Sequence, residues 1–316
     1  MTVMTAIIAL TGANGFLGRT FAKHLLASGW QVRALLRRPS PDLVDMGAIP
    51  VSGAIEQRDS LDRLVEGADA VVHCAGLLKA RNSLEFTSVN VDGTARVAEA
   101  AAARPHPPRF LLLSSLAARE PSISPYAASK RGAEQALAQL GGSLEHCTLR
   151  PPGVYGPGDR ATLPLFRQMA HGFLLVPKVP RARFSLLHVQ DLAVIVERLL
   201  AGGEWAGRTL EVDDGRDGGY GWADLAEAAG RHLERRVRQV AVPRGLLLGP
   251  AQLNQWLARA LGRSTFFTPG KLSEFFHADW VARTSTDGPL GDWRARFTFE
   301  TGFAATLDWY RAEGWL

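Results

Sequence analysis

Short apolar segments alternate with amphipathic segments along the first half of the chain. Strand-like runs lie at 6–10, 31–37, 48–53, 69–74, 109–114 and 144–149, and helical periodicity is clearest at 16–28, 86–103 and 126–140. This alternation predicts a parallel sheet made of βαβ units. Segments such as 110–113 are apolar throughout, as expected of strands covered by helices on both faces. The predicted fold class is α/β, with a doubly wound parallel sheet of the Rossmann type.

The pattern changes after Arg150. Loops rich in glycine and proline, such as 151–159 and 213–221, separate shorter elements, and the last third of the chain holds most of the tryptophans. We predict a core of βαβ units over residues 1–150 and a smaller subdomain over residues 151–316.

Composition and charge are those of an ordinary globular protein. The 316 residues are 46% hydrophobic and 21% charged, with a formal net charge of +5 at pH 7. The basic residues are scattered singly or in pairs, so no nucleic-acid partner is expected. No window approaches the roughly 20 apolar residues that span a bilayer, so no membrane partner is expected either.

Cysteine and histidine are too dispersed to indicate a metal centre. Cys74 and Cys147 have no neighbours at metal-ligand spacing, and the eight histidines include no His-x-x-x-His. Two reduced cysteines, and an N-terminus that begins almost at once with a strand, predict a cytoplasmic protein without a metal. The absence of Gly-x-Ser-x-Gly argues against a serine hydrolase.

Residues 11–18 read Thr-Gly-Ala-Asn-Gly-Phe-Leu-Gly between the first apolar strand and a helical segment. In such a unit Gly12 permits the tight turn, Gly15 lets a diphosphate approach the backbone, and Gly18 lets the helix pack on the strand. The helix N-terminal amides then face the anion. A dinucleotide pyrophosphate site is therefore predicted. Its expected cofactor contacts are Gly12, Asn14, Gly15, Phe16, Leu17 and Gly18. Residues 1–150 are accordingly expected to be a dinucleotide-binding Rossmann core, and residues 151–316 to form a mainly substrate-binding subdomain.

The second strand ends in Arg37 and Arg38, where the adenine ribose lies in a Rossmann domain. NAD sites usually place an acidic residue there, whereas a guanidinium can bind a 2′-phosphate through two hydrogen bonds. The two arginines therefore favour NADP(H) as the cofactor, with NAD(H) as the alternative. Either arginine could instead be only the polar end of a strand.

Tyr126 and Lys130 lie four positions apart on a predicted helix, so they share one face, one turn apart. A phenol has an ordinary pKa of about 10 and needs a nearby positive charge to exchange a proton near pH 7. The Lys130 ammonium can supply that charge and can also hold a nicotinamide ribose. We therefore expect Tyr126 to be the acid/base and Lys130 to bind the cofactor.

The glycine turn and the Tyr-Ala-Ala-Ser-Lys segment together resemble the extended short-chain dehydrogenase/reductase family, including its epimerase/dehydratase-like members. Residues 32–37 resemble the NADP(H)-preferring, dihydroflavonol-reductase-like members. Further matches lie at 72–76, 89–94, 149–159, 185–193 and 302–316, so the resemblance covers nearly the whole chain. It implies hydride transfer between a nicotinamide cofactor and a carbonyl or hydroxyl group of a small-molecule substrate. It also implies that segments of 151–316 interleave with the Rossmann sheet.

The resemblance assigns roles to individual residues. Ser115, the second serine after the fifth strand, would complete a triad with Tyr126 and Lys130 and orient the substrate oxygen, with Ser114 as the alternative. Further residues expected beside the cofactor are Ala75, Gly76, Asn90, Pro152 and Val154. Structural roles are expected for His73, His188 and Asp191.

The chain departs from the family pattern after the third strand. Residues 53–55 read Gly-Ala-Ile in place of Gly-Asp-Leu, so the aspartate that holds the adenine amine is missing. Glu56 or Asp59 could replace it, or the adenine could simply stack. This departure leaves the nucleotide preference less defined than the glycine turn suggests.

The motifs leave three functions open. An NADP(H)-dependent reductase or dehydrogenase is favoured, because residues 115–118 lack the acid pair that dehydratases place beside the serine and because Arg37 argues against tightly held NAD. The alternatives are an NAD-dependent nucleotide-sugar epimerase and a non-catalytic NADP(H)-binding protein. Retention of Tyr126 and Lys130 argues against the last. If the protein forms an oligomer, a homodimer through helices 86–103 and 126–140 is expected.

The substrate pocket is expected to be lined from 77–86, 153–185 and 263–280. If their aromatic side chains face the pocket, a hydrophobic ketone or aldehyde would fit. If their arginines face it, a sugar diphosphate would fit instead.

Overall fold

The computed structural model describes residues 6–202, 207–283 and 290–316. Its strands are β1 Ile7–Thr11, β2 Gln31–Leu36, β3 Ile49–Ser52, β4 Ala70–His73, β5 Arg109–Leu113, β6 His146–Arg150, β7 Gly153–Tyr155, β8 Phe173–Pro177, β9 Arg183–Phe184, β10 Leu186–His188, β11 Arg208–Glu211, β12 Arg238–Val242 and β13 Asp279–Trp280. Its helices are α1 Phe16–Ala27, α2 Pro41–Asp45, α3 Arg58–Val65, α4 Ser83–Phe86, α5 Gly93–Ala102, α6 Pro125–Ala138, α7 Leu163–Ala170, α8 Val189–Ala201, α9 Trp222–His232, α10 Arg244–Ala260, α11 Pro269–Phe275 and α12 Phe299–Ala312.

The largest sheet has seven strands in the order β11-β6-β5-β4-β1-β2-β3. The pairs β1–β2, β1–β4, β2–β3, β4–β5 and β5–β6 are all parallel. The order 3-2-1-4-5-6 within it is that of a Rossmann sheet, whose ligands bind at the carboxyl edge where the order reverses between β1 and β4. The predicted doubly wound α/β fold is confirmed.

The predicted helix over 86–103 is interrupted. A π-helical turn at Thr87–Asp92 joins α4 to α5. Such turns widen a helix locally and often accompany functional sites. The turn contains Asn90, one of the residues expected beside the cofactor.

The described residues form two compact units, one of 6–150, 193–202, 207–210 and 290–291 and the other of 151–192, 211–283 and 292–316. The core of the first lies against one face of the large sheet, where Val71, Phe110 and Leu112 pack with Leu64 and Val97 from the helices. All five side chains are at most 1% exposed, as befits strands covered by helices.

The second unit contains three two-stranded parallel sheets, β7–β10, β8–β12 and β9–β13. Its core is aromatic, with Phe166 stacked on Phe303 at 5.1 Å between ring centroids and meeting Tyr310 edge-on at 5.4 Å. Among the described residues, no helix is long and apolar enough to cross a membrane.

Candidate active site

The turn between β1 and α1 is closed by contacts that leave no room for side chains. Gly12 has φ +70°, and a Cβ there would lie 2.7 Å from the backbone nitrogen of Ala75. A Cβ on Gly18 would lie 2.2 Å from the carbonyl oxygen of Gly12. The Gly15 N–H donates to that same oxygen at 2.9 Å. Strand, turn and helix start are thus packed as a pyrophosphate site requires.

A cleft of about 680 Å³, ample for a nucleotide, lies at the carboxyl ends of β1 to β4. The residues on its walls include Gly12, Ala13, Asn14, Gly15, Leu35, Arg37, Arg38, Ala54, Ile55, Glu56, Cys74, Ala75, Gly76, Leu77 and Val89. Seven of the residues predicted to contact the cofactor are among them. Phe16, Leu17 and Gly18 form the first turn of α1.

The far wall of the cleft carries the residues predicted to set nucleotide preference. Arg37 and Arg38 are exposed there, and the Asn14 side-chain amide donates to the Arg38 carbonyl oxygen at 3.3 Å. Of the two acids considered as replacements for the missing aspartate, Glu56 lies on the cleft wall and Asp59 lies in the first turn of α3. The guanidinium groups of Arg37 and Arg38 and the Glu56 carboxylate therefore all border the cleft.

His73 bridges two threonines at the end of β4. Its Nδ1 lies 2.8 Å from Thr11 Oγ1, and its Nε2 lies 3.1 Å from Thr94 Oγ1. The Thr94 hydroxyl donates to the Asn90 carbonyl oxygen at 2.7 Å, so Nε2 must carry the proton and Nδ1 must accept from Thr11. Burial lowers the pKa of His73 to about 3. The imidazole is neutral and fully engaged, which agrees with a structural role.

The Asn90 side chain joins the loop after β4 to helix α6. Its Oδ1 accepts from the Leu77 N–H at 2.7 Å, while its amide group donates to the Leu77 carbonyl oxygen at 3.2 Å and to Ser129 Oγ at 2.8 Å. Ser129 in turn donates to the Tyr126 carbonyl oxygen at 2.8 Å. This chain of hydrogen bonds connects Leu77, on the cleft wall, to the first turn of α6.

Tyr126 and Lys130 lie on one face of α6, as predicted. The helix begins at Pro125, capped by Ser124 Oγ, which accepts from the Ala127 N–H at 3.0 Å. The Tyr126 ring is 7% exposed and meets Phe86 edge-on, with the ring centroids 6.1 Å apart. Both side chains of the predicted pair are thus held in the interior of the first unit.

The Lys130 ammonium is fixed beside the cleft. Its Nζ donates to the Leu113 carbonyl oxygen at 2.6 Å, and it would lie 3.7 Å from a Cβ placed on Gly76, which lines the cleft. Burial lowers the pKa of Lys130 to about 8, so the side chain is still mostly protonated at pH 7. The ammonium has three N–H donors and uses one of them on the Leu113 carbonyl oxygen. The other two are suited to bind ribose hydroxyls.

Ser114 and Ser115 have different environments. The Ser114 hydroxyl is buried and donates to Glu134 Oε1 at 2.5 Å, and Arg150 binds that carboxylate through two bonds of 2.8 and 2.6 Å. Ser115 Oγ, half-buried, accepts from the Ala117 N–H at 3.2 Å at the start of a 3₁₀ turn. Ser114 therefore belongs to a buried ion-pair cluster. Ser115 Oγ is the acceptor in its bond with Ala117, so that bond does not use the Ser115 hydroxyl proton.

Cys74 also lies on the cleft wall, next to Ala75. Burial raises the pKa of its thiol well above the ordinary value, and burial likewise raises the pKa of Cys147 to about 12. Both side chains are therefore thiols rather than thiolates at neutral pH.

A family model described as the NAD dependent epimerase/dehydratase family matches residues 8–209. The chain belongs to this family. The predicted resemblance to extended short-chain dehydrogenases/reductases is thereby confirmed.

Two proteins with sequences similar to this chain are reductases. Ceramide reductase of Caulobacter vibrioides is 38% identical over 98% of this chain and 96% of its own length. The 2-alkyl-3-oxoalkanoate reductase of Stenotrophomonas maltophilia is 32% identical over 52% of this chain and 55% of its own length. In fold, human epimerase family protein SDR39U1 (isoform2), solved with NADPH, superposes with a TM-score of 0.73 at 19% identity, covering 96% of this chain and 99% of that chain. The protein is an NAD(P)-dependent oxidoreductase that acts on a small-molecule substrate, as predicted.

The remaining predicted residues of this oxidoreductase lie in the second unit. Pro152 precedes β7 and Val154 is its central residue. The Asp191 carboxylate accepts from the backbone N–H groups of Arg296 and Phe297, both at 3.0 Å, as expected of a structural cap. His188 packs against the Phe297 ring with 4.0 Å between centroids, and burial lowers its pKa to about 4.

Sequence reasoning missed several residues that support the site. Ser129 accepts a hydrogen bond from Asn90 and donates one to the Tyr126 carbonyl oxygen, and Thr11 and Thr94 bind the two ring nitrogens of His73. Ser129 lies directly before Lys130, and its partner Asn90 lies in the π-helical turn, 39 residues earlier in the chain. The family motifs contain these polar residues without indicating which of them pair.

Proposed function

We propose that the protein uses NADPH to reduce a ketone on a long-chain lipid of the ceramide class, with Tyr126 as the proton donor. The observation that carries the chemistry is the buried Lys130 ammonium, held between the Leu113 carbonyl oxygen and Gly76 on the same helix face as Tyr126. The lipid class comes from the 38% identity to ceramide reductase across nearly the whole of both chains.

The residues around the cleft fit a dinucleotide. The glycine turn exposes the α1 N-terminus beside a cleft of adequate size, and no Cβ fits at Gly12 or Gly18 without displacing backbone. Arg37 and Arg38 offer bidentate partners to a 2′-phosphate, which supports NADP(H) over NAD(H). Glu56 on the same wall would oppose a phosphate but could accept a bond from the adenine amine.

The bound nicotinamide would supply the hydride. Tyr126 would give its phenolic proton to the substrate oxygen as that oxygen gains negative charge. The Lys130 ammonium would stabilise the resulting phenolate and hold the ribose hydroxyls. Ser115 would donate to the substrate oxygen, a role that the Ser114–Glu134 hydrogen bond supports by engaging the other serine.

The decisive assay follows NADPH consumption with an oxo-ceramide as substrate and the corresponding hydroxy-ceramide as product. Tyr126→Phe should lower kcat by roughly 10³-fold, a loss typical of removing a positioned acid. Tyr310→Phe is the matched control, because that hydroxyl bonds the Asp159 carbonyl oxygen in the second unit. Equal activity of Tyr126→Phe and the wild type would refute the role of Tyr126.

Cofactor preference is tested separately by titrating NADPH and NADH into the wild type and Arg37→Ala. We expect NADPH to bind more tightly and the preference to fall in the variant by roughly tenfold or more, because a charge-assisted phosphate contact is lost. Arg58→Ala, an exposed arginine paired with Asp62, is the control. Tight NADH binding with turnover of nucleotide sugars and no net NADPH consumption would instead support the epimerase alternative.

A further inference from the structure

Helix α10 has two apolar sides. On one side Ala251 is fully buried, and the helix packs on α11. On the other side its large apolar residues are exposed, with Leu246 at 67% and Trp256 at 64%. A surface helix normally has one apolar stripe, directed at its own core. The core of this unit does not account for the second apolar stripe, so the stripe must be explained by a binding partner that covers it.

The exposed stripe is continuous. At 3.6 residues per turn, its large side chains lie within about 140° of the helix circumference. The loop after the helix adds exposed phenylalanines to this apolar stripe. The loop is tied to α10 by the Asn254 side chain, which donates to Thr265 Oγ1 and to the Phe267 carbonyl oxygen, both at 2.8 Å. We call the exposed set the docking face: Leu246, Leu253, Trp256, Leu257, Leu261, Phe266 and Phe267.

The surrounding sequence is strongly basic. Residues 235–273 contain seven lysines and arginines and no aspartate or glutamate, while the rest of the chain has 29 basic and 31 acidic residues. The positive net charge of the protein therefore resides in this one segment. Within it, Arg244 lies at the start of α10 and Arg263 just beyond its end, so cations border the docking face at both ends.

We propose that the docking face binds the surface of an anionic phospholipid bilayer. Leucine and tryptophan on one side of a helix, with arginine at its ends, are typical of helices that lie in the membrane interface, and Phe266 and Phe267 in the following loop add to the same apolar surface. A second copy of this chain would bring two cationic segments together, and a polyphosphate would gain little from exposed leucines. The expectation of no membrane partner rested on the lack of a spanning segment, which a surface-lying helix does not need. The inference does not depend on the proposed substrate.

The test is flotation of the full-length protein with vesicles of phosphatidylcholine alone and of equimolar phosphatidylcholine and phosphatidylglycerol. We expect the protein to float with the anionic vesicles, and to be released by high salt, because the charge term is screened. The triple variant Leu253→Ser, Trp256→Ser, Leu257→Ser should lose flotation. Leu84→Ser, which removes a still more exposed leucine from α4, should not.

The charge contribution has its own pair of variants. Arg244→Gln with Arg263→Gln should weaken binding to the anionic vesicles by roughly tenfold or more, since each basic residue near such a surface adds measurably to affinity. Lys23→Gln with Lys178→Gln removes the same charge elsewhere and should have little effect. Equal loss in both double variants would mean that only net charge matters, which would overturn the proposal.

Tryptophan emission distinguishes insertion from loose adsorption. Anionic vesicles should shift the emission to shorter wavelength, and Trp256→Phe should abolish the shift whereas Trp309→Phe should not. Absence of vesicle binding would overturn the proposal. A wild-type dimer that the triple variant converts to monomer would assign the face to a second copy, and binding only to an acidic protein would assign it to a protein partner.

Discussion

At the scale of single residues, the site is distinguished by which polar groups are already engaged. Ser114 and Ser115 are sequence neighbours, yet one donates into a buried carboxylate and the other begins a short turn. The family motif favours Ser115 by its position alone, and it does not indicate that Ser114 is bonded to Glu134, twenty residues further along. Distant pairing of this kind is what sequence inspection leaves undetermined.

Alanine substitution of the two serines should therefore have different consequences. Ser115→Ala is expected to lower kcat by roughly 10²-fold, the loss typical of one donor to a developing oxyanion. Ser114→Ala should change kcat only a few-fold but lower the free energy of unfolding by about 1–2 kcal/mol, because Glu134 loses a buried partner. Steady-state kinetics and urea unfolding of both variants would check this, and the opposite pattern would give the role to Ser114.

Lys130 makes stability depend on pH. Because burial lowers its pKa from 10.5 to about 8, the folded protein loses this proton at a pH where the unfolded chain keeps it. The unfolded state then binds more protons, so the contribution of Lys130 to the free energy of unfolding rises between those two pH values. Relative to Lys130→Met, the apo wild type should gain roughly 2–3 kcal/mol across this interval.

Urea unfolding at a series of pH values from neutral to about 10 measures that difference, with the interval set by the ordinary lysine pKa. Lys23→Met, at an exposed position on α1, is the control and should show no such slope relative to the wild type. A constant difference between wild type and Lys130→Met would show that Lys130 is not desolvated in the folded protein.

At the scale of elements, the strands, the glycine turn and the helix that carries Tyr126 and Lys130 were predictable from periodicity and spacing. The π-helical turn was not, because residues 86–103 carry an ordinary helical pattern, which does not indicate that Asn90 bonds to Leu77. The second apolar stripe of α10 was also missed, because hydrophobic periodicity is normally attributed to a core.

The β1–turn–α1 element should not tolerate Gly18→Ala. The added Cβ would lie 2.2 Å from the Gly12 carbonyl oxygen, so the turn must shift, at an expected cost of about 2 kcal/mol or more in unfolding free energy. NADPH binding should weaken with it. Gly245→Ala in α10 is the control, because its Cβ would meet nothing within 4 Å and alanine favours the helix by up to about 1 kcal/mol. Equal stability of the two variants would contradict the packing argument.

At the scale of the whole molecule, two compact units divide the predicted cofactor contacts unequally. The glycine turn, both arginines and Asn90 belong to the first unit, and only Pro152 and Val154 belong to the second. The sequence predicted a change of texture after Arg150, and the family resemblance implied that later segments interleave with the sheet. It could not indicate that those segments are 193–202 and 207–210, because their contacts join distant parts of the chain.

Hydrogen exchange can test this division. NADPH should slow amide exchange in the β1–α1 turn and around residues 74–77, because a ligand that binds only the folded form suppresses local opening. Protection of β7 would support Pro152 and Val154 as cofactor contacts, and α12 should serve as the unaffected reference. Protection of α12 without the β1–α1 turn would place the nucleotide elsewhere.

The protonated thiols of Cys74 and Cys147 bear on how the enzyme withstands oxidative stress. Oxidation by peroxide begins at the thiolate, and here burial keeps both sulfurs protonated although Cys74 borders the cleft. Among the residues described on the cleft walls, the one sulfur is that of Cys74, and as a thiol it should react slowly with peroxide. At neutral pH we therefore expect peroxide treatment to leave cofactor binding in this cleft largely unchanged.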